Sequence, residues 1–586
     1  MRYHLSCPEP ATHLFHLELE VERPGEAIEL SLPVWTPGSY LVREFSRHLE
    51  GVTATGAGGR PVAVERLDKH RFRVRSGGAA SVTVRWKIYA NELTVRTSHL
   101  DATHGFVSPA GVFLSVRGRE AEPHLVVVAP PPGWQVATAL AGGPSEFTAR
   151  DYDELIDSPL ELGTHRLVRF EALGVKHELA VWGRGNLDLT RLAVDLETIV
   201  ETVGGFWGGL PYDRYLFILH LTGKGRGGLE HMASTAVLYP RLGFSDPEAY
   251  GDALSLLIHE FFHAWNVKRL RPAALTPYQY AGEQYTRLLW WFEGATSYYE
   301  QLLLSRAGLL PARRYLRSLG RLLTTLARTP GAGKLTVEEA SQLAWVKLYR
   351  PDENSVNSSV SYYLKGELVA LALDLALRRA GHDLDGVMRE AYARWASGGL
   401  PEEGIEELVA ERLGVEPARA LFDATVRGHG LPSIDLSQVG LGLRRRVAQG
   451  SDDKGGAPGK GEERRAGWLG AEFGAGLTVK TVREGSPAWR AGLTADDELL
   501  AEGGFRLDGK GLQQRLEEQG PEGRLRLTLF RRDELLEVEV PLTEPPEDTL
   551  WLEPLAEATL EQKAAFTAWC GAEWPADPTS AKNEAP

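Results

Sequence analysis

Cysteine is nearly absent from this chain of 586 residues, which contains only two. Because Cys7 and Cys570 lie at opposite ends of the chain in dissimilar surroundings, we expect neither a structural disulfide nor a multi-cysteine metal site. Long apolar runs are also missing. None approaches the roughly 18 residues of a membrane span, and the N-terminus carries no apolar export segment. These absences predict a cytoplasmic protein without a membrane partner.

An excess of basic residues is missing as well. The formal net charge is −14, and a protein that binds phosphate backbones needs a basic face, so we expect no nucleic-acid partner. At this length about three or four domains are expected. An apolar fraction of 43% is ample for sizeable cores.

The most informative stretch that is present is His259-Glu260-Phe261-Phe262-His263. Histidines four residues apart lie on one face of a helix, close enough to bind one metal ion through two imidazole nitrogens. Glu260 then lies beside the open coordination position, where it can take a proton from water and return it to a leaving amine. Apolar residues recur around the motif at helical spacing: Leu254, Leu257, Ile258, Phe261, Phe262 and Trp265. The alternative is a buried helix whose histidines only hydrogen-bond to neighbours.

A catalytic zinc site needs a third protein ligand, and two glutamates compete for that role. Glu283 lies in a polar stretch that predicts a surface position. Glu293 lies in Trp-Trp-Phe-Glu-Gly-Ala-Thr-Ser-Tyr-Tyr, which reads as a buried helix. A carboxylate in such surroundings must be paired or bound to a metal, so we choose Glu293.

These segments resemble a known family. The run from His259 to Pro272 and the run from Trp291 to Tyr299 closely resemble the glycyl aminopeptidase family of zinc metallopeptidases, which are gluzincins. The resemblance extends over about residues 1 to 545. It implies a thermolysin-like catalytic domain behind an N-terminal β domain, with a PDZ-like domain following. It also implies one zinc ion per chain, bound by His259, His263 and Glu293, with Glu260 as the general base.

Gly227-Gly228-Leu229-Glu230-His231 resembles the glycine-x-methionine-glutamate-asparagine motif of the wider aminopeptidase clan. The resemblance implies that Glu230 binds the free α-amine of the substrate and that Gly228 belongs to the same substrate-binding strand. Leu229 and His231 depart from the motif. A carboxylate in a partly dry cleft favours an ammonium group. The alternative is a solvated loop glutamate after a glycine-rich turn.

Tyr363-Leu364-Lys365-Gly366 is similar to the clan's tyrosine-x-lysine-glycine segment. The similarity implies that the Tyr363 hydroxyl donates a hydrogen bond to the oxyanion of the reaction intermediate. Tyr362 is adjacent and faces elsewhere, so only one of the two tyrosines can serve. The alternative is a pair of tyrosines that only pack.

The first 175 residues alternate apolar and polar side chains, a pattern typical of β-strands. An antiparallel β-sandwich over 1–175 is therefore predicted. The loop Trp35–Tyr40 is also similar to the aminopeptidase family, and it is interpreted as an interdomain contact or a wall of the substrate cleft. From 176 to 435 the pattern is mostly helical, which fits a small α/β lobe with the metal helix and a helical lobe.

A PDZ-like β/α domain is predicted over 436–545, with a flexible, glycine-rich insert near 449–465. The segment Gly467-Trp468-Leu469-Gly470 resembles a carboxylate-binding loop, where backbone amides receive a peptide or protein C-terminus. Trp468 replaces the usual aliphatic residue, so a structural or regulatory module is the alternative. Residues 546–586 are interpreted as a C-terminal extension and tail.

The sequence thus predicts a multidomain α+β zinc aminopeptidase that acts on peptides with a free N-terminus. The family resemblance implies small N-terminal residues, glycine or alanine. Two alternatives stay open: a zinc endopeptidase of the same clan, and a PDZ-bearing adaptor or holdase whose metal site is structural. Histidine and carboxylate ligands also suit divalent metals other than zinc.

Overall fold

The computed structural model describes residues 1–459 and 466–575. The described chain forms two compact units. The first contains Met1–Thr286 and Met388–Glu402, and the second contains Arg287–Val387 and the described chain from Glu403 onward. Residues 460–465 of the predicted insert and residues 576–586 of the predicted tail lie outside the described residues.

The N-terminal part of the first unit consists almost wholly of strands, as the alternating pattern predicts. In chain order the strands are β1 (Arg2–Ser6), β2 (Leu14–Glu22), β3 (Ile28–Ser31), β4 (Leu49–Gly56), β5 (Pro61–Val62), β6 (Val64–Arg66), β7 (Arg71–Val74), β8 (Ser81–Tyr89), β9 (Asn91–Thr94), β10 (Thr97–Asp101), β11 (His104–Val107), β12 (Ser115–Val116), β13 (His124–Ala129), β14 (Gln135–Thr138), β15 (Ala141–Gly142), β16 (Glu146–Ala149) and β17 (Leu160–Gly163). Helix α1 (Tyr152–Ile156) precedes β17.

These strands form sheets in the orders β15-β16-β13-β1-β2-β8-β4-β5, β14-β17-β11-β10-β9 and β12-β3-β7-β6. Their inward side chains build one core, which includes Phe15, Leu17, Leu19, Trp86, Phe113 and Leu162. The predicted N-terminal β domain is confirmed. One detail differs: β1 pairs with β13 in parallel, so the largest sheet is mixed rather than purely antiparallel. Residue patterns do not reveal the partner of a strand that lies more than a hundred residues away.

The first unit continues with a second layer of sheet and helix. Its elements are β18 (Arg166–Ala172), β19 (Val175–Trp182), α2 (Leu189–Trp207), β20 (Arg214–Thr222), β21 (Gly227–Glu230), β22 (Ser234–Pro240) and α3 (Pro247–Phe262). The sheet order is β18-β19-β20-β22-β21, which makes β21 an edge strand. Helix α3 packs against β21 and β22. The predicted boundary after residue 175 falls inside this sheet, because β18 and β19 form a hairpin.

The second unit is helical in its first part, in agreement with the predicted helical lobe. A π-helix over Trp290–Ala295 leads into the α-helices. These are α4 (Thr296–Arg306), α5 (Ala312–Ala327), α6 (Val337–Gln342), α7 (Ser355–Ser358), α8 (Tyr362–Arg379), α9 (Leu384–Trp395), α10 (Gly404–Leu413) and α11 (Val415–Thr425). Helix α9 belongs to the second unit through Val387 and to the first from Met388.

The C-terminal part of the second unit mixes strands and short helices: β23 (Leu441–Arg446), β24 (Ala471–Phe473), β25 (Val479–Val482), α12 (Pro487–Arg490), β26 (Glu498–Glu502), β27 (Phe505–Arg506), α13 (Gly509–Gln519), β28 (Arg524–Arg531), β29 (Glu534–Pro541), β30 (Thr549–Pro554) and α14 (Leu560–Cys570). The sheets are β24-β25, β27-β26-β28-β29 and β23-β30. Buried residues from Leu469 to Leu542 form a separate core.

The chain around the predicted insert is more ordered than its composition indicates. Strand β23, assigned from sequence to the PDZ-like domain, pairs with β30 of the predicted extension. Between them, Asp453 forms an ion pair with Arg446, and the Gly456 amide donates to the Leu550 carbonyl at 2.8 Å. The segment 449–459 therefore makes specific polar contacts with β23 and β30. Glycine here permits close packing, because a Cβ on Gly456 would overlap the backbone of α5.

Both cysteines, Cys7 and Cys570, are buried and free. Within 1–459 and 466–575, no helix combines the length and the hydrophobicity that a membrane crossing requires.

Candidate metal centre

The predicted metal motif lies at the C-terminal end of α3. The side chain of Asp246 caps the start of this helix by accepting a hydrogen bond from the amide of Glu248, and Pro247 occupies the first turn. His259 lies in the last turn and His263 is the residue at which the helix ends. Their ring centroids are 4.7 Å apart and their planes are nearly perpendicular, at 85°. Both rings are buried.

A backbone carbonyl orients the ring of His263. Its Nδ1 donates a hydrogen bond to the carbonyl oxygen of Asn266 at 2.6 Å. Because a carbonyl can only accept, the proton is on Nδ1 and Nε2 keeps its lone pair. This is the tautomer that a metal-binding imidazole requires, and such a partner for the second ring nitrogen is typical of metal-binding histidines.

Glu260 lies against the edge strand β21. At Gly228 a Cβ would overlap the Glu260 carboxylate, so only glycine leaves this carboxylate in its place. The carbonyl oxygen of Gly228 accepts a hydrogen bond from Arg96 Nη2 at 3.0 Å. Sequence reasoning missed Arg96, because it follows β9 in a turn without any recognisable motif. The structure thus places two predicted residues, Glu260 and Gly228, in direct contact.

Glu230, the last residue of β21, is buried next to the same motif. A ligand atom from each of Glu230, Glu260 and His263 lies within 4.8 Å of the other two. Among the described residues, Oε1 of Glu230 has no hydrogen-bond partner although it is buried. Gly38, with a φ of +87°, lies against this carboxylate, and a Cβ there would overlap it. The loop Trp35–Tyr40 therefore borders the predicted amine-binding group.

A buried ion pair supports the chain after Glu230. Nζ of Lys268 lies 2.5 Å from Oδ1 of Asp157, whose other oxygen accepts from the Met232 amide at 2.6 Å. Burial acts to raise the pKa of Asp157, but the charge of Lys268 and a hydrogen bond with His231 hold it well below its usual range. The charge of Lys268 is thus balanced within the first unit. Asp157 lacked any signal in the sequence.

Glu293 lies in the π-helix of the second unit and is buried. A π-helix is a rare element that occurs often at functional sites. It contacts α8 closely at two glycines, where a Cβ on Gly294 would be 2.5 Å from Cα of Gly366. The glycine of the predicted Tyr363–Gly366 segment therefore lets α8 approach the helix that contains Glu293. The competing residue Glu283 is exposed and accepts a hydrogen bond from Tyr285.

Tyr363 lies in the first turn of α8, which Ser361 caps. Burial, the charge of Glu293 and a hydrogen bond with Tyr349 raise the pKa of Tyr363 well above its usual range, so its hydroxyl keeps its proton. The rings of Tyr362 and Tyr363 stack with centroids 4.9 Å apart. Tyr362 is fully buried, whereas Tyr363 retains partial exposure.

Lys365 in the same segment has a structural role. Its Nζ is buried and donates to three backbone carbonyls, those of Ala332, Leu335 and Gly428, at 3.0 to 3.3 Å. Burial lowers the pKa of Lys365 to about 8. The lysine of the motif therefore joins two loops, the α5–α6 connection and the chain after α11, to the start of α8.

The predicted ligands His259 and His263 lie in the first unit, and the predicted third ligand, Glu293, lies in the second. Two imidazoles and one carboxylate are the donor set of many catalytic zinc sites, so these residue types fit the predicted ion. Within the first unit, two groups of histidine and carboxylate side chains offer donor atoms close enough to bind a metal ion. One is the Glu230 group described above, and the other is His104, Glu161 and His220.

The predicted peptide-binding loop forms internal hydrogen bonds. The amide of Gly467 donates to the Leu516 carbonyl at 2.7 Å, and the amide of Trp468 donates to the Thr543 carbonyl at 2.9 Å. These two amides are thus engaged in internal backbone pairs. Binding of a C-terminus by Gly467–Gly470 stays a prediction. The carbonyl oxygens of Leu469 and Gly470 also accept internal hydrogen bonds.

Comparison with protein families gives two matches. The N-terminal domain of the M61 peptidases matches residues 2–164, and the M61 glycyl aminopeptidase matches residues 252–369. The second range contains the α3 motif, the π-helix and the start of α8. A comparison with curated proteins finds no match.

Solved structures extend this comparison. An aminopeptidase N family protein from Idiomarina loihiensis is 33% identical, with 97% of this chain and 99% of that chain covered and a TM-score of 0.91. An M1 zinc metallopeptidase from Deinococcus radiodurans is 15% identical, with 74% and 94% covered and a TM-score of 0.45. Native yeast LTA4 hydrolase is 12% identical, with 75% and 70% covered and a TM-score of 0.46. The last two are too distant to support an argument.

Proposed function

Since this chain belongs to the M61 glycyl aminopeptidase family of metallopeptidases, we propose that it is a zinc-dependent aminopeptidase that removes glycine or alanine from the N-terminus of peptides. The observation that supports the proposal most is the buried pair His259 and His263 on α3, whose ring centroids are 4.7 Å apart, with Glu293 proposed as the third ligand. Three protein ligands are typical of a catalytic zinc site, whereas a structural site is usually closed by four.

His259, His263 and Glu293 hold the zinc ion in this proposal. The bound ion supplies the Lewis acidity that polarises the scissile carbonyl and activates water. The hydrogen bond from His263 Nδ1 to Asn266 keeps the other ring nitrogen available as a ligand. Burial of all three ligands limits competition from bulk water.

Glu260 is the general base and then the general acid. It accepts the proton of the attacking water and returns it to the departing amine nitrogen, so that one carboxylate serves both halves of the reaction. Tyr363 donates its hydroxyl proton in a hydrogen bond to the oxygen that becomes negative as water adds. Its raised pKa supports this role, because only a protonated phenol can donate.

Glu230 anchors the free α-amine of the substrate. Two properties support this role: its carboxylate is buried, and among the described residues its Oε1 lacks a hydrogen-bond partner. A buried, unsatisfied carboxylate oxygen is costly, and a substrate ammonium would satisfy both its charge and its hydrogen-bonding capacity. An acetylated N-terminus carries no such charge.

The direct test compares glycyl and alanyl chromogenic amides with their N-acetylated forms, with and without a chelator. We expect chelator-sensitive hydrolysis of the free amines and a loss of at least about 100-fold in kcat/KM on acetylation, because a buried charged partner is then lost. Equal hydrolysis of free and acetylated substrates would contradict the proposal and favour an endopeptidase.

Glu230→Gln tests the amine anchor separately. We expect kcat/KM for glycyl amides to fall roughly 100-fold, because the amide has no charge to pair with the ammonium. The matched control is Glu283→Gln, at an exposed glutamate whose partner is Tyr285. The control should keep wild-type kinetics. An unchanged ratio of free to acetylated rates in Glu230→Gln would remove this residue from the proposal.

For the C-terminal module of residues 467–542 we propose a PDZ-like fold with a structural or regulatory role. Its separate core, two small sheets and two short helices support this assignment. The internally paired amides of Gly467 and Trp468 argue against carboxylate recognition in that loop.

A further inference from the structure

A second group of buried histidine and carboxylate side chains lies in the first unit, on elements other than α3. His104 on β11, Glu161 on β17 and His220 on β20 are fully buried, with ligand atoms within 4.8 Å of one another. Nε2 of His104 lies 2.9 Å from Oε1 of Glu161, and Nε2 of His220 lies 2.9 Å from Oε2. These three residues together with His165 are named the intersheet cluster.

Strand pairing places the intersheet cluster between two sheets. In the sheet β14-β17-β11-β10-β9, Glu161 pairs with Phe106, and His104 projects to the same face because it is two residues from Phe106. In the sheet β18-β19-β20-β22-β21, His220 pairs with Trp182. The rings of Trp182 and His104 stack at a centroid distance of 4.0 Å. The donors therefore come from both sheets and meet in the core between them.

The negative charge of Glu161 needs a positive partner, and the neighbouring side chains are positively charged only if a histidine is protonated. In the described part of the chain, its ion-pair partners are all histidines: His104, His165 and His220. Lysine and arginine are missing from that set. A buried carboxylate without a compensating charge is strongly unfavourable. The compensating charge is therefore either an imidazolium or a cation held among these side chains.

His165 adds a fourth donor to the cluster. Its Nδ1 lies 3.9 Å from Oε1 of Glu161, and its side chain is almost fully buried. Neither of its ring nitrogens has a hydrogen-bond partner in the described chain, and the same holds for Nδ1 of His220. A buried imidazole with two unsatisfied nitrogens is costly. A metal ion would use the nitrogen that faces Glu161.

His99 orients the ring of His104 from the other side. Nδ1 of His99 lies 3.2 Å from Nδ1 of His104, and Nε2 of His99 lies 3.7 Å from Oδ2 of Asp101. When His104 donates from Nδ1, its Nε2 retains the lone pair that faces Glu161. An outer partner of this kind is typical of metal-binding histidines.

We propose that the intersheet cluster binds a second zinc ion, with His104, Glu161 and His220 as ligands and His165 as the fourth. Four protein ligands close the coordination sphere, which is the arrangement of a structural rather than a catalytic site. Zinc takes the place of the protons that would otherwise lie on Nε2; each neutral imidazole then carries its one proton on Nδ1, and only the second proton of an imidazolium is released to solvent. The ion would join the N-terminal sheet to the sheet that contains the edge strand β21.

The test uses the full-length double variant His259→Ala/His263→Ala, which lacks the α3 ligands and so removes the catalytic ion from the count. The protein is saturated with zinc, desalted and analysed for metal by mass spectrometry. We expect about one zinc per chain to remain. Adding Glu161→Gln or His220→Asn to this background should reduce the content to near zero. The matched control is His124→Asn, which changes another buried histidine that lies outside the cluster.

Several outcomes would overturn the inference. One is a double variant that retains no zinc and whose unfolding temperature does not respond to added zinc; the cluster would then be a hydrogen-bonded network. Another is a zinc content that Glu161→Gln leaves unchanged. If the cluster variants do not fold, X-ray absorption of the double variant provides the test. The inference requires that its remaining zinc has nitrogen and oxygen ligands with the signature of imidazole. None of these measurements depends on peptidase activity. The second zinc site and the proposed function can therefore be rejected independently of each other.

Discussion

At Gly228 the absence of a side chain decides where a carboxylate lies. A Cβ at this position would overlap Glu260, and the edge strand has little freedom to move because Arg96 holds the Gly228 carbonyl. Gly228→Ala should therefore displace the proposed general base, Glu260, and lower kcat/KM about 100-fold, because a misplacement near 1 Å can have an effect of that size. Steady-state hydrolysis of a glycyl amide measures the effect.

The neighbouring glycine supplies the control for this experiment. At Gly227 the nearest atom to an added Cβ would be Nη1 of Arg96 at 3.6 Å, an ordinary contact. Gly227→Ala changes the same strand and reduces backbone freedom equally, but its Cβ would not displace Glu260. This variant should therefore retain most activity. If both variants lose activity equally, strand flexibility rather than the position of Glu260 explains the loss.

At the scale of elements, sequence patterns predict local structure well and non-local pairing poorly. The spacing of apolar residues and the two histidines together predict α3 and its motif, because both signals are local. The edge position of β21 and the contact between Gly38 and Glu230 depend on strands far apart in the chain. The π-helix that contains Glu293 reads as an ordinary helix from its residues.

The segment 449–459 shows how composition can mislead about an element. Its glycines and charges predict a flexible loop, yet Asp453 accepts hydrogen bonds from Arg446 and from the amides of Gln449 and Gly455. Burial acts to raise the pKa of Asp453, but these hydrogen bonds lower it to about 2. A single carboxylate thus fixes a segment that has almost no apolar residues.

Asp453→Asn should destabilise the second unit by about 1 kcal/mol at pH 7, less than the full equivalent of the pKa shift because solvent screens a partly exposed ion pair. A carboxyl group whose pKa is lower in the folded state than in the unfolded state stabilises the folded protein at any pH above its unfolded pKa, near 4. This stabilisation disappears as the pH falls towards 2. The difference between wild type and variant should therefore narrow between about pH 4 and pH 2. Denaturant unfolding at several pH values measures it. The exposed neighbour Asp452→Asn is the control, and a difference that is constant with pH would contradict the explanation.

At the scale of the whole molecule, the residues proposed to bind ions come from distant parts of the chain. The α3 motif is recognisable because two of its ligands are four residues apart. The intersheet cluster has no such signature, since His104, Glu161 and His220 lie on three separate strands and share no sequence motif. Strand register aligns Glu161 with Phe106 and His220 with Trp182, and the packing of the two sheets brings these residues together. A family resemblance therefore leads to the first site and not to the second.

The two ions should leave the protein at different rates. A catalytic ion with three protein ligands exchanges through its open position, whereas an ion enclosed by four buried ligands requires the two sheets to separate. Brief treatment with a soluble chelator should abolish hydrolysis while about one zinc per chain remains. Longer treatment should remove the second ion and lower the unfolding temperature, because a ligand that binds only the folded state stabilises it. A time course of zinc release, recorded together with activity, distinguishes the release of the two ions. If all bound zinc left in a single phase that parallels the loss of activity, this expectation would be wrong.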